Sequence, residues 1–170
     1  MHSKFVAVAG GLLLLAACSS PPPPSPAGPG AGAYGAVPPG GPGGGISASQ
    51  IVPGSQEDLA QTAGDRVFFA FDRSDISPQA QQTLTRQAEW LRRYPNVMVR
   101  IEGHCDERGT REYNLALGAR RAEAAKDVLV ALGIPASRIA TISYGKDRPV
   151  VLGSNPWAWA QNRVAITTVQ

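Results

Sequence analysis

Charge is the first thing this sequence lacks. From Phe5 to Gln56 there is no Asp, Glu, Lys or Arg, so the overall 17% charged content averages two unlike halves. Cysteine is nearly absent: Cys18 and Cys105 are the two in 170 residues, too few for a disulfide framework. Histidine is equally scarce, at two. A metal site at His104, Cys105 and Asp106 would therefore fall short of the usual three or four clustered ligands once an N-terminal segment is removed. Aromatic residues make up 6%, with no run of rings on which nucleic-acid bases could stack. The net charge of +3 argues only weakly for nucleic acid, and the pairs Arg92-Arg93 and Arg120-Arg121 sit among acids. Long apolar runs are missing too. The stretch from Phe5 to Ala17 has 13 residues, against roughly 20 for a helix that spans a bilayer core. These absences exclude a multi-pass membrane protein, and the length excludes a two-domain enzyme.

What is present divides into three parts. Lys4 followed by the apolar run to Ala17 predicts a signal peptide over residues 1–17. Residues 18–54 read as an anchor and a linker. Between Ser19 and Gly45 lie nine of the 15 Pro and nine of the 19 Gly, with too few large apolar groups to offset the entropy of ordering. The Pro-rich start favours polyproline II and the Gly-rich end flexible coil, with a maximal reach of roughly 100 Å at about 3.1 Å per residue. A PxxP ligand for an SH3-like domain is the competing reading. Residues 55–170 carry every charged side chain except Lys4 and have the size of one domain.

Within that domain the capping residues mark the helices. Ser55 caps a short helix running through Ala63, with Glu57 and Asp58 in its first turn. Ser77-Pro78 is an N-cap followed by an N1 proline. The helix it opens places Leu84, Ala88 and Leu91 on one face and stops at Tyr94-Pro95. Thr110 caps a long helix that ends at Gly133, with an expected apolar stripe of Leu115, Ala119, Ala122, Leu129 and Leu132. Strands are expected at Arg66–Ala70, Val97–Glu102, Ile139–Tyr144 and Arg163–Val169. The order β-α-β-α-β-β predicts an α+β two-layer sandwich, with helices on one face of a mixed four-stranded sheet.

Two motifs resemble known families. Leu15-Ala16-Ala17-Cys18 resembles the lipobox of bacterial lipoproteins, which implies cleavage before Cys18 and its acylation. Several acyl chains at about 0.8 kcal/mol per buried methylene hold a protein firmly to a membrane. The alternative is an ordinary secretory peptide cut nearby, leaving Cys18 free. Ser19, where inner-membrane lipoproteins of enteric bacteria carry Asp, implies the outer membrane.

The run Gly103-His104-x-Asp106-x-x-Gly109-x(4)-Asn114-x-x-Leu117-x-x-x-Arg121-Ala122 resembles the peptidoglycan-binding motif of OmpA-like domains. Phe71-Asp72 upstream, and Ser143-Tyr144-Gly145-Lys146 and Asn162-Arg163 downstream, extend the resemblance from about Val67 to Val169. It is most specific for the OmpA-like lipoproteins of the Tol system. The resemblance implies a binder of the meso-diaminopimelate side chain of peptidoglycan stem peptides, anchored by outer-membrane lipid, with TolB and TolA as partners and no cofactor. An OmpA-like lipoprotein acting outside the Tol system is the alternative.

The implied ligand contacts are Asp106 and Arg121, with Phe71, Asp72, Asn114 and Thr110 around them. An ionised Asp106 accepts from an ammonium. The planar, permanently charged Arg121 suits a carboxylate bidentately, and backbone N–H groups at the helix start suit a second one. Asn114 reads equally as a loop-pinning residue. Arg121 lies about 16 Å into the helix at 1.5 Å per residue, so Asp106 reaches it only if the loop folds back. Adjacent residues at a strand end face opposite ways, so His104 and Cys105 do not form a hydrolase pair. Val164 stands where relatives often carry a second Arg.

Overall fold

The computed structural model describes residues 51–170; the expected signal peptide, Cys18 and the linker up to residue 50 lie outside the described residues. The elements are α1 (Gln56–Thr62), β1 (Arg66–Phe68), α2 (Pro78–Arg93), β2 (Val99–His104), α3 (Arg111–Ala131), a 3-10 turn (Ala136–Arg138), β3 (Ile139–Gly145), α4 (Pro156–Asn162) and β4 (Val164–Val169). The sheet order is β1-β4-β2-β3. β2 and β3 run parallel, while β4 is antiparallel to both β1 and β2. The fold is thus α+β with a mixed four-stranded sheet, as the element order predicts.

The helices begin where their caps dictate. Ser55 Oγ accepts from the Asp58 N–H, Ser77 Oγ from Ala80 and Thr110 Oγ1 from Tyr113. Each hydroxyl satisfies one of the donors that a helix start leaves without an intrahelical partner. α3 stops at Gly133, whose φ of +91° is the left-handed conformation that glycine adopts without strain.

The core lies between the sheet and α2 and α3. Leu84, Ala88 and Leu91 of α2, Val99 and Ile101 of β2, and Ala122, Ala125 and Leu129 of α3 are all buried in one cluster. Each buried Leu or Ile contributes roughly 1.5–3 kcal/mol. One polar link crosses this layer. Thr167 Oγ1 donates to Gln87 Oε1 at 2.9 Å, and Gln87 Nε2 donates to the Gly64 carbonyl at 2.6 Å.

The structure corrects four expectations. β1 is shorter than Arg66–Ala70. After the Phe69 N–H bonds the Arg163 carbonyl, the Ala70 carbonyl turns to accept from Arg121 instead of a strand. β2 starts and ends two residues later than expected, because the Val97 N–H closes a turn onto Tyr94 while Gly103 and His104 still pair with β3. The buried face of α3 is not the expected stripe: Ala119 is exposed and Leu115 half-buried. That face carries Asn114, Leu117, Gly118, Arg121, Ala122, Ala125 and Leu129, so it mixes polar and small residues with the apolar ones. Finally, the loop expected before β4 contains α4. Asn155 caps it from its side chain and Pro156 opens it, the same signature that opens α2.

Candidate binding site

The loop Cys105–Thr110 leaves the end of β2 and folds back over the start of α3. Gly109, with φ +96°, supplies the reversal. Asn114 holds the loop down: its Nδ2 donates to the carbonyls of Arg108 (2.8 Å) and Thr110 (3.0 Å). Lys146 on the β3 side donates to the carbonyls of Gly109 (2.6 Å) and Glu107 (3.2 Å). α4 and the loop before it hold the Glu107 carboxylate, through Trp159 Nε1 and Ser154 Oγ, both at 2.9 Å.

This folding brings Asp106 and Arg121 to one cavity of about 160 Å3, whose walls also include Phe71, Asp72, Asn114 and Arg108. Five of the six expected peptidoglycan contacts therefore line one pocket. Thr110 does not line it, because its hydroxyl caps α3. Thr110→Ala is expected to cost about 1 kcal/mol in urea unfolding while a ligand still binds the folded protein; unchanged stability would contradict the cap role.

Asp106 is 4% exposed. Its Oδ1 accepts from the backbone N–H (3.2 Å) and Nε (3.1 Å) of Arg108, and its Oδ2 from Arg108 Nη2 (2.7 Å) and Arg163 Nη1 (3.4 Å). Burial pushes this carboxyl up. The bonds from Arg108 and Arg163 outweigh burial and hold it below its ordinary value. Asp106 is therefore ionised at neutral pH.

Arg121 is fully buried and makes no ion pair among the described residues. Its Nε donates to the Arg73 carbonyl (2.9 Å) and its Nη2 to the Ala70 carbonyl (3.2 Å). Its Nη1 donates to the His104 carbonyl (2.8 Å) and to Cys105 Sγ (3.4 Å). Burial lowers its pKa, but a guanidinium stays charged. Of its five N–H groups four are engaged, so the bidentate grip expected of Arg121 is not open to it alone.

Phe71 is 57% exposed and lies at the rim. Asp72 holds a left-handed φ of +56° and accepts from the Tyr113 hydroxyl. Two contributors were not expected from the sequence. Arg108 is stacked between Phe71 (3.9 Å from guanidinium carbon to ring centroid) and Trp159 (4.3 Å). Tyr113 also lines the pocket, its hydroxyl donating to Asp72. The signal for Arg108 was its place between Asp106 and Gly109, but its partner Trp159 is 51 residues further along the chain.

His104 points away from the pocket. Its Nδ1 lies 2.9 Å from the Arg148 carbonyl, and burial lowers its pKa, so the ring is neutral. Val164 is fully buried in β4. The contact to Asp106 from that strand's start comes from Arg163. Among the described residues, no three His, Cys, Asp or Glu side chains are placed to share a metal.

A mixed sheet under two helices, with a charged pocket where β2 hands over to α3, is the arrangement of an OmpA-like domain. The OmpA family model matches residues 68–163, and the chain belongs to the OmpA family. Its relatives there are peptidoglycan-associated lipoproteins. The chain is 57% identical over 122 residues to that protein of Agrobacterium fabrum, spanning 72% of this chain and 69% of the relative. It is 41% identical over 122 residues to that of Haemophilus influenzae, spanning 72% and 80%. The crystal structure of the peptidoglycan-associated lipoprotein from Burkholderia pseudomallei superposes with a TM-score of 0.63 at 40% identity, covering 65% of this chain and 96% of that one.

Proposed function

We propose that this protein is an outer-membrane lipoprotein that binds peptidoglycan noncovalently and tethers the outer membrane to the cell wall. Cys18 carries the lipid, residues 19–54 span the gap, and the domain in the periplasm holds the meso-diaminopimelate side chain of stem peptides. The observation that carries this reading is the convergence of one buried carboxylate and two guanidinium groups in a cavity of about 160 Å3. That volume takes the end of a side chain and not a disaccharide. The charges suit an end that bears an ammonium and a carboxylate on one carbon. Membership of the Tol–Pal system, with TolB and TolA as partners and a role in envelope integrity and cell division, follows from the family resemblance. Each contact is weak by itself, and many anchored copies on one polymer add avidity.

The site is read as a binder without catalysis. Cys105 is its nucleophile-type side chain, and burial raises its pKa. Its Sγ donates to the Asn114 carbonyl at 3.3 Å, as a neutral thiol does, whereas attack needs the thiolate.

Sedimentation of the full chain with purified sacculi tests the reading. Asp106→Asn keeps the shape and removes the charge. It is expected to weaken binding roughly 10- to 100-fold, the worth of a charge-assisted hydrogen bond at about 1.5–3 kcal/mol. A folded Asp106→Asn that sediments like the wild type would sink the assignment.

A further inference from the structure

The chain that leads from the membrane anchor and the ligand pocket meet this domain at opposite ends. The described chain begins at Ile51, and its first element is α1. Gln56, which opens α1, sits beside the last residues of β4. Its Oε1 accepts from the Val169 N–H (2.8 Å), and its Nε2 donates to the Thr167 carbonyl and to Asp65 Oδ2, both at 3.2 Å. The pocket lies at the other end of the same strands. There Arg163, just before β4, reaches Asp106, and Phe71 and Asp72 follow β1. The length of β4 separates the two ends, roughly 20 Å at about 3.4 Å per residue. A pull on Ile51 against a ligand held in the pocket therefore runs along β1 and β4.

The elements along that line differ in their hold. α1 has seven residues, too few for a helix to stand alone, and Leu59 is its one large apolar side chain in the core. Its other ties are the Gln56 amide and Asp58 Oδ2, which accepts from the Gly54 N–H (2.8 Å) and Trp90 Nε1 (3.0 Å). Just beyond α1 the chain is pinned twice from α2. Arg86 Nε donates to the Ala63 carbonyl (3.2 Å) and Gln87 Nε2 to that of Gly64 (2.6 Å). β1 follows, bonded to β4 from the Asp65 carbonyl (2.8 Å from the Thr167 N–H) to the Phe69 N–H (2.9 Å from the Arg163 carbonyl). A pull along the strand loads these bonds together, whereas the ties of α1 are met one after another. Segments with few buried apolar contacts also open at lower free energy than core strands. We propose that α1 is a load-limited extension of the tether. Under tension it peels from Ile51 to Thr62, stops at the pins on Ala63 and Gly64, and docks again when tension falls, with the pocket intact throughout. The released segment adds about 40 Å of contour at about 3.3 Å per residue. This inference rests on the tethering function proposed above and gives that tether a mechanical limit.

Optical tweezers test this on the chain from Cys18 to Gln170, with one handle on the Cys18 thiol and the other on Glu112→Cys, at the pocket end of α3. Cys105 is 2% exposed and takes no handle while the domain is folded. The chain is expected to lengthen reversibly by about 40 Å of contour, at a force below the one that unfolds the rest of the domain. Gln56→Ala should lower the force of this early step and leave the main unfolding force where it was. The same variant should sediment with sacculi like the wild type, because the pocket is untouched. Unfolding of the wild type in a single step overturns the proposal without recourse to any variant. So does an early step much longer than 40 Å, since β1 would then leave with α1. A Gln56→Ala chain in which both forces fall together overturns it as well. If the wild type fails to bind sacculi, the tethering function falls and the extension with it. If it binds and the early step is missing, only the extension falls.

Discussion

Arg121→Met is expected to destabilise the domain by about 2–4 kcal/mol, because it removes the donor from backbone carbonyls at the pocket at about 1–3 kcal/mol each. The side chain has nearly the right length and volume, so packing is kept and the loss is polar. The carbonyls of Arg73 and His104 lose the guanidinium donor, while that of Ala70 keeps the Arg73 N–H at 3.3 Å. Each buried acceptor without a partner costs about 1–3 kcal/mol, reduced where pocket water reaches it. The loss is a large fraction of the stability of a small domain, about 5–15 kcal/mol. Arg121→Lys should recover less than half of the loss, because one ammonium on a narrow stem cannot meet carbonyls that lie around a planar fork. Urea unfolding followed by the fluorescence of buried Trp90 measures both variants, with an unchanged slope expected. A loss under about 1 kcal/mol for Arg121→Met would show that the carbonyls do not depend on it.

This has a consequence for reading the site. Those three carbonyls belong to the chain after β1 and to the end of β2, which are separate strands that carry Phe71, Asp72 and Asp106 to the pocket. Arg121 ties them at fixed spacing. Loss of peptidoglycan binding in an Arg121 variant therefore reports the collapse of the pocket as much as the loss of a ligand contact. Asp106 and Arg108 variants separate the two, since the loop around them is also held by Asn114, Lys146 and Glu107.

Much of this was legible in the sequence, for local reasons. Ser55, Ser77 and Thr110 begin α1, α2 and α3 because a hydroxyl at a helix start answers a backbone donor within three residues. Pairing of Asp106 with Arg121 came from the motif, and both reach one cavity. Helix α4 was missed although Asn155-Pro156 repeats the cap-and-proline signature. Like α1 it has seven residues, but it lacks α1's acidic first turn, and Trp157 and Trp159, two apart, do not make a helical stripe. The buried face of α3 was misplaced because an apolar-stripe argument passes over Asn114, Gly118 and Arg121, which are buried on it. The role of Arg108 depends on a ring brought from α4, and the place of β4 between β1 and β2 depends on pairing across some 60 to 100 residues. Neither is written in any local pattern.

Gly103→Ala is expected to prevent folding or to cost more than about 3 kcal/mol, beyond the usual 1–3 for overpacking. A Cβ on Gly103 would lie 1.9 Å from the carbonyl oxygen of Gly118 and 2.6 Å from its carbonyl carbon. These are backbone atoms inside a helix, so no rotamer change relieves the contact. β2 and α3 cross here backbone to backbone, and the consequence runs straight to the site. Gly103 lies just before His104, and Gly118 lies one turn before Arg121. The closeness of this crossing sets the depth at which Arg121 meets the His104 carbonyl at 2.8 Å.

Gly118→Ala tests the same contact from the other side. In a helix interior the exchange normally gains about 0.5–1 kcal/mol. Here the new Cβ would stand 2.3 Å from Ser143 Oγ and 2.9 Å from the Gly103 oxygen, so the sign should reverse. Ser143 cannot simply turn aside, because its hydroxyl donates to the Leu115 carbonyl at 2.7 Å. Removing that hydroxyl with Ser143→Gly should return part of the loss to Gly118→Ala and none to Gly103→Ala. Urea unfolding of the two single variants and the two doubles gives the four values required. A Gly103→Ala protein as stable as the wild type, or a Gly118→Ala protein more stable than it, would mean that strand and helix are not in backbone contact. Arg121 would then owe its position to its own hydrogen bonds alone.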